Sequence, residues 1–82
     1  MAFKKELVKA LKARSSVIKN PEFDLAERRG KVTGFVISET FRGMPQLDRQ
    51  DLVWDYLIRV FSPEKLVKII ALITVTPKEF RG

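Results

Sequence analysis

Residues 48–61, DRQDLVWDYLIRVF, followed by SPEKL at 62–66 and VKIIALITVT at 67–76, decide the architecture of this chain. In the first segment Leu52, Val53, Tyr56, Leu57, Val60 and Phe61 fall at i, i+1, i+4, i+5, i+8 and i+9, the apolar stripe of an α-helix. Asp48 can cap that helix, and Asp51 favours the positive end of its dipole. Ser62-Pro63 ends it, and Pro63 to Leu66 can form one further helical turn. Val67 to Thr76 is apolar apart from Lys68 and Thr74, with the β-branched Ile69, Ile70, Ile73 and Val75. It reads as a strand covered on both faces and stopped by Pro77. A strand reached through a helical crossover makes a mixed sheet with any hairpin that precedes it.

Upstream, such a hairpin is present. Phe23 and Leu25 alternate with Glu22, Asp24 and Ala26, Arg28-Arg29-Gly30-Lys31 reads as a turn, and Val32 to Ser38 places Thr33, Phe35 and Ile37 on one face. Phe41 to Leu47, with Gly43 and Pro45, connects it to the long helix. A first helix carries Phe3, Leu7, Ala10 and Leu11 on one side and Lys4, Lys5, Lys9 and Lys12 on the other, and Asn20-Pro21 ends it. The fold class is therefore α+β: one domain over residues 1–82, αββα(α)β, with a three-stranded mixed sheet and helices packed on one face.

The chain has 82 residues, a formal charge of +6, and neither cysteine nor histidine. Zinc fingers, disulfides, thiol redox centres and Cys or His nucleophile–base pairs are thereby excluded. No glycine spacing matches a phosphate-binding loop. The acidic pair Asp51/Asp55 lies on one helical face beside Arg49 and Gln50, as a solvated surface does. The expectation is a non-enzymatic protein. The basic, amphipathic stretch Met1 to Asn20 has the composition of a transit peptide, but no small-residue cleavage site follows, so it reads as the first helix of a cytoplasmic protein. The longest apolar run, Ile69 to Ile73, is far below membrane-spanning length.

Arg28, Arg29 and Lys31 crowd the hairpin turn, and Arg42 and Arg49 flank the loop into the long helix. Such clusters track phosphates, or simply hydrate a turn. Trp54 and Ile58 flank the buried stripe of the long helix, where they either mark a partner surface or cover the helix edge.

Val36-Ile37-Ser38-x-x-Phe41-x-Gly43, Leu47-x-Arg49-x-x-Leu52-Val53 and a hydrophobic strand ending in Thr76-Pro77-x-Glu79-Phe80 resemble the BolA family. The resemblance implies a KH-like αββααβ fold. It also implies two functions: DNA-binding transcriptional regulation, or partnership with a monothiol glutaredoxin through a shared [2Fe–2S] cluster. The position of the family's ligand histidine holds Lys68, its Arg-His pair reads Arg49-Gln50, and the first loop is shortened to Arg28-Arg29-Gly30-Lys31. Protonated lysine has no lone pair for iron, so no intrinsic cofactor is expected. A KH-type GxxG clamp is absent, since Ser62-Pro63-Glu64-Lys65 carries no glycine.

The leading expectation is a BolA-like regulator of transcription or stress responses that binds DNA or RNA through Arg28, Arg29, Lys31, Arg42, Arg49 and Lys68. The alternative is a glutaredoxin adaptor in iron and redox homeostasis, with Trp54, Ile58, Lys68, Thr76 and Pro77 as its partner surface. Either would be a monomer or weak dimer without a membrane partner.

Overall fold

The computed structural model describes residues 3–13 and 17–82. Helix α1 (Phe3–Lys12) leads into the hairpin β1 (Glu22–Arg28) and β2 (Lys31–Ile37). A 3-10 turn (Glu39–Phe41), α2 (Gln46–Val60), α3 (Pro63–Leu66), β3 (Ile69–Val75) and α4 (Pro77–Arg81) follow. The sheet order is β1-β2-β3, with β1 antiparallel and β3 parallel to β2. This is the α+β class with a mixed three-stranded sheet, extended by one terminal helix.

The hairpin closes tightly because Arg29 and Gly30 both take positive φ, 52° and 77°. That matches the right-handed twist of the strands, and Arg28 pairs directly with Lys31. Within β2, Gly34 has φ +145°, and a Cβ there would collide with the Asp24 carbonyl oxygen. Only glycine lets β1 lie this close.

Phe3, Leu7 and Leu11 of α1 and Val53, Tyr56 and Leu57 of α2 pack on one side of the sheet against Leu25, Val32, Val36 and Leu72. Thr33, Phe35 and Ile37 do share a face, but alternation with Val32 and Val36 turns it away from these helices. Expected coverage of β3 on both sides is corrected: Leu72 is buried, whereas Ile70 is 64% and Ile73 46% exposed. The chain supplies two long helices and both pack on the same side. On the other side Phe80 of α4 meets Phe35, with ring centroids 5.3 Å apart. Pairing jumps from Val32–Ile69 to Thr33–Ala71, leaving Ile70 as a bulge.

Element ends also differ from expectation. Pro45, not Asp48, precedes α2, and Asp48 sits in its first turn. The first helix ends at Lys12, short of Asn20; residues 1–2 and 14–16 of that segment lie outside the described residues. Pro77 stops β3 and starts α4, because Thr76 and Glu79 form a reciprocal capping box. No helix among the described residues is long and apolar enough to cross a membrane.

Candidate functional site

The β1–β2 turn carries Arg28, Arg29 and Lys31 to one end of the sheet. The Val32 N–H donates to the Lys68 carbonyl at 2.8 Å, which sets the α3–β3 junction beside them. Helix α1 starts at the same end, where the Phe3 N–H donates to the Glu27 carboxylate at 3.0 Å, and Lys4 and Lys5 follow in that first turn. The Lys68 ammonium stands 5.7 Å from the Phe3 ring centroid, a cation–π contact.

Two acids at this end are already engaged. Glu27 holds the first amides of α1, and Glu6 accepts from the Lys65 ammonium at 2.6 Å. That hydrogen bond, reinforced by the fields of Lys65 and Lys68, lowers the Glu6 pKa. Among the described residues the ion pairs are Arg42–Glu39, Arg49–Glu79 and Lys65–Glu6, and none uses Arg28, Arg29, Lys31 or Lys68. Arg28 and Arg29 line an open concavity of about 570 Å³.

Two candidate phosphate contacts fall elsewhere. Arg42 follows the 3-10 turn at the far end of β2 and pairs with Glu39 at 2.8 Å. Arg49 is only 5% exposed and is corrected to an internal residue. Its Nε donates to the Met44 carbonyl at 2.8 Å and its Nη1 to the Thr74 carbonyl at 3.1 Å. Both Nη atoms meet the Glu79 carboxylate, at 2.8 and 3.2 Å. The Arg49 hydrogen bonds, helped by the Thr76 N–H, hold the Glu79 pKa down from 4.5 to about 2.

Beside it Gln46 and Gln50 donate to the Thr74 and Leu72 carbonyls of β3, at 3.1 and 2.9 Å. These three side chains, at i, i+3 and i+4 on one face of α2, seal carbonyls along the free edge of the sheet. Their shared helical face was the available signal, and only the observed packing shows what it meets.

The residues expected at a partner surface are spread over the fold. Trp54 is half-buried against the core and donates to the Gln50 side chain at 3.2 Å, while Ile58 is exposed. Thr76 is buried as the cap of α4, and Pro77 is half-buried at its first turn. Lys68 precedes β3 and Thr76 follows it, so about 25 Å of strand separates them.

Among the described residues no group of three His, Cys, Asp or Glu could hold a metal ion. With no histidine or cysteine in the chain, and a lysine ammonium over Phe3 where the resemblance would put the ligand, the donor set does not fit a shared [2Fe–2S] cluster. No family model, no curated protein and no solved structure matches the chain.

Proposed function

We propose that this chain is a non-enzymatic, BolA-like regulatory domain of the cytoplasm that binds nucleic acid through the pole formed by the hairpin tip and the start of β3. One observation carries the reading: Arg28, Arg29, Lys31 and Lys68 are brought to one end of the sheet from two parts of the chain, and Glu27 and Glu6 beside them are engaged by other groups. Unpaired cations of this kind displace condensed counterions from a phosphate backbone, so binding weakens linearly with the logarithm of salt concentration. The contacts are to phosphates and carry no sequence information of their own. Of the residues a glutaredoxin adaptor would present, Thr76 is buried as the cap of α4 and Trp54 is half-buried against the core.

Fluorescence anisotropy with a duplex and a single strand of matched length, titrated at several salt concentrations, tests the reading. Replacing both Arg28 and Arg29 by Ala should weaken duplex binding and reduce the salt slope by about 1.8, two phosphates' worth. Arg42→Ala should leave both nearly unchanged. Equal affinity and slope for the double variant and the parent would overturn the proposal. A stable complex with a monothiol glutaredoxin under conditions where no oligonucleotide binds would favour the adaptor instead.

A further inference from the structure

The two edges of the sheet are finished differently. Along β3, Gln46, Arg49 and Gln50 donate to the outward carbonyls of Thr74 and Leu72. Along β1 the direction of the backbone groups follows from β2, where the Val32 and Ser38 N–H groups donate to Lys68 and Val75 on the β3 side. Alternation turns Lys31, Thr33, Phe35 and Ile37 the other way, to exchange hydrogen bonds with Arg28, Ala26, Asp24 and Glu22. Phe23, Leu25 and Glu27 therefore aim their N–H and C=O groups out of the sheet. Among the described residues no hydrogen bond reaches these six groups.

Helix α1 runs antiparallel to this edge. The Phe3 and Lys4 N–H groups donate to Glu27 at one end, and the Lys12 ammonium stands 5.9 Å from the Phe23 ring centroid at the other. Phe3, Leu7 and Leu11 enter the core, while Glu6 and Ala10 meet Lys65 and Tyr56. The opposite flank, Lys4, Val8 and Lys12 at i, i+4 and i+8, overlooks β1. Val8 and Lys12 line a concavity of about 650 Å³ with Phe23, and Val8 lines a second with Lys4, Lys5 and Lys9. Among the described residues no ion pair uses these four lysines or Lys12 itself.

We propose that the β1 edge takes up an extended acidic peptide as a fourth strand. Laid antiparallel to β1, peptide residues opposite Glu27, Leu25 and Phe23 exchange hydrogen bonds with all six free groups and turn their side chains towards α1. Alternate strand residues lie about 6.8 Å apart and successive turns of a helix about 5.4 Å, so the two rows stay nearly in step. The middle residue meets Leu25 and Val8 and is apolar. The one opposite Phe23 meets Lys12 and is Asp or Glu. Residues between them project beside exposed Asp24 and Ala26, where a hydroxyl is accepted and a second acid is repelled. The edge thus reads an apolar residue followed two places later by a carboxylate, in a segment drawn in by the field of Lys5 and Lys9.

Charge and hydrogen bonding select this occupant. A second copy paired through the same edge, with Leu25 on the two-fold axis, would set Lys4 of each α1 towards Lys12 of the other with no acid between them. A phosphate backbone would answer the lysines, but it carries no donor for the Phe23, Leu25 and Glu27 carbonyls. The peptide uses none of Arg28, Arg29, Lys31 and Lys68, so this site stands independently of nucleic-acid binding at the pole.

Amide hydrogen exchange of the full chain, read by NMR with and without a blocked synthetic peptide TTITETE, tests the proposal. In the free protein the Phe23, Leu25 and Glu27 amides should exchange faster than those of Asp24 and Ala26. Peptide at ten times its measured Kd should slow the three by about tenfold. N-methylation at the isoleucine and first glutamate, whose N–H groups face β1, should abolish binding. The same modification at the two threonines flanking the isoleucine should leave it within about threefold. Lys12→Glu should weaken binding about fivefold, whereas replacing both Arg28 and Arg29 by Ala should not change it.

No protection at millimolar peptide would overturn the proposal, as would equal losses from the two methylation patterns. Protection that rises with protein concentration alone would give the edge to a second copy instead. Protection by an oligonucleotide and not by the peptide would give it to nucleic acid.

Discussion

Arg49 and the Arg28-Arg29 pair are the same kind of cation, yet the fold treats them in opposite ways. At the α2–α4 end Arg49 is buried, with its donors distributed over the Met44 and Thr74 carbonyls and the Glu79 carboxylate. At the hairpin end Arg28 and Arg29 face solvent, and no ion pair among the described residues engages them. An arginine becomes structural where a free sheet edge offers carbonyls within reach and a carboxylate closes the other side of its planar fork. It remains available for ligands where the neighbouring acids are held by other groups. Side chains that seal an edge support the sheet, while those at the turn can be changed without disturbing it.

The widest gap between the two ends should appear on Arg49→Met. That change keeps most of the side-chain volume but removes the donors to Met44 and Thr74 and the partner of Glu79. A loss of about 2–3 kcal/mol in urea unfolding, followed by Trp54 fluorescence, is expected. A loss below about 0.5 kcal/mol, the size of an ordinary surface substitution, would erase the distinction between the ends.

Acidification probes the same pair from the carboxylate side. The folded pKa of Glu79 lies near 2, below its ordinary 4.5. Its contribution to stability is therefore complete above pH 4.5 and is lost as the pH falls from there towards 2. Glu79→Gln should be less stable than the parent at neutral pH, and the two unfolding curves should converge across that acidic window. A pH-independent offset between them would show that the Arg49 contact does not depend on the Glu79 charge.

The order of helices and strands was legible because each element writes its own period into the chain, and the two prolines at 63 and 77 mark real boundaries. The face exposed by β3 was not. Continuous apolarity reads as two-sided burial, and whether a second layer exists depends on how many helices there are and where they pack. Helix α4 is too short to show a period, although Thr76-Pro77-x-Glu79 carries the capping signature that announces it.

Arg28, Arg29 and Lys31 could be assigned to a turn because Gly30 acts locally. Lys68 joins them only through the parallel pairing of β2 with β3, and Arg49 is withdrawn from the surface by a carboxylate thirty residues away. Contacts made across the sequence are where residue type and spacing stop being informative.

The smallest effect on stability should come from the hairpin tip itself. Replacing both Arg28 and Arg29 by Ala removes no described ion pair and leaves the Arg28–Lys31 backbone pairing in place. The positive φ at position 29 burdens alanine much as it does arginine, so the turn is neither relieved nor newly strained. A change within about 0.5 kcal/mol is expected in the urea titration used for Arg49→Met. The comparison then separates in both directions: Arg49 governs unfolding, and the tip arginines govern the salt-dependent binding of polyanions. If the tip variant instead lost as much stability as Arg49→Met, its charges would be part of the framework. Weakened nucleic-acid binding by that variant would then report damage to the sheet rather than lost phosphate contacts.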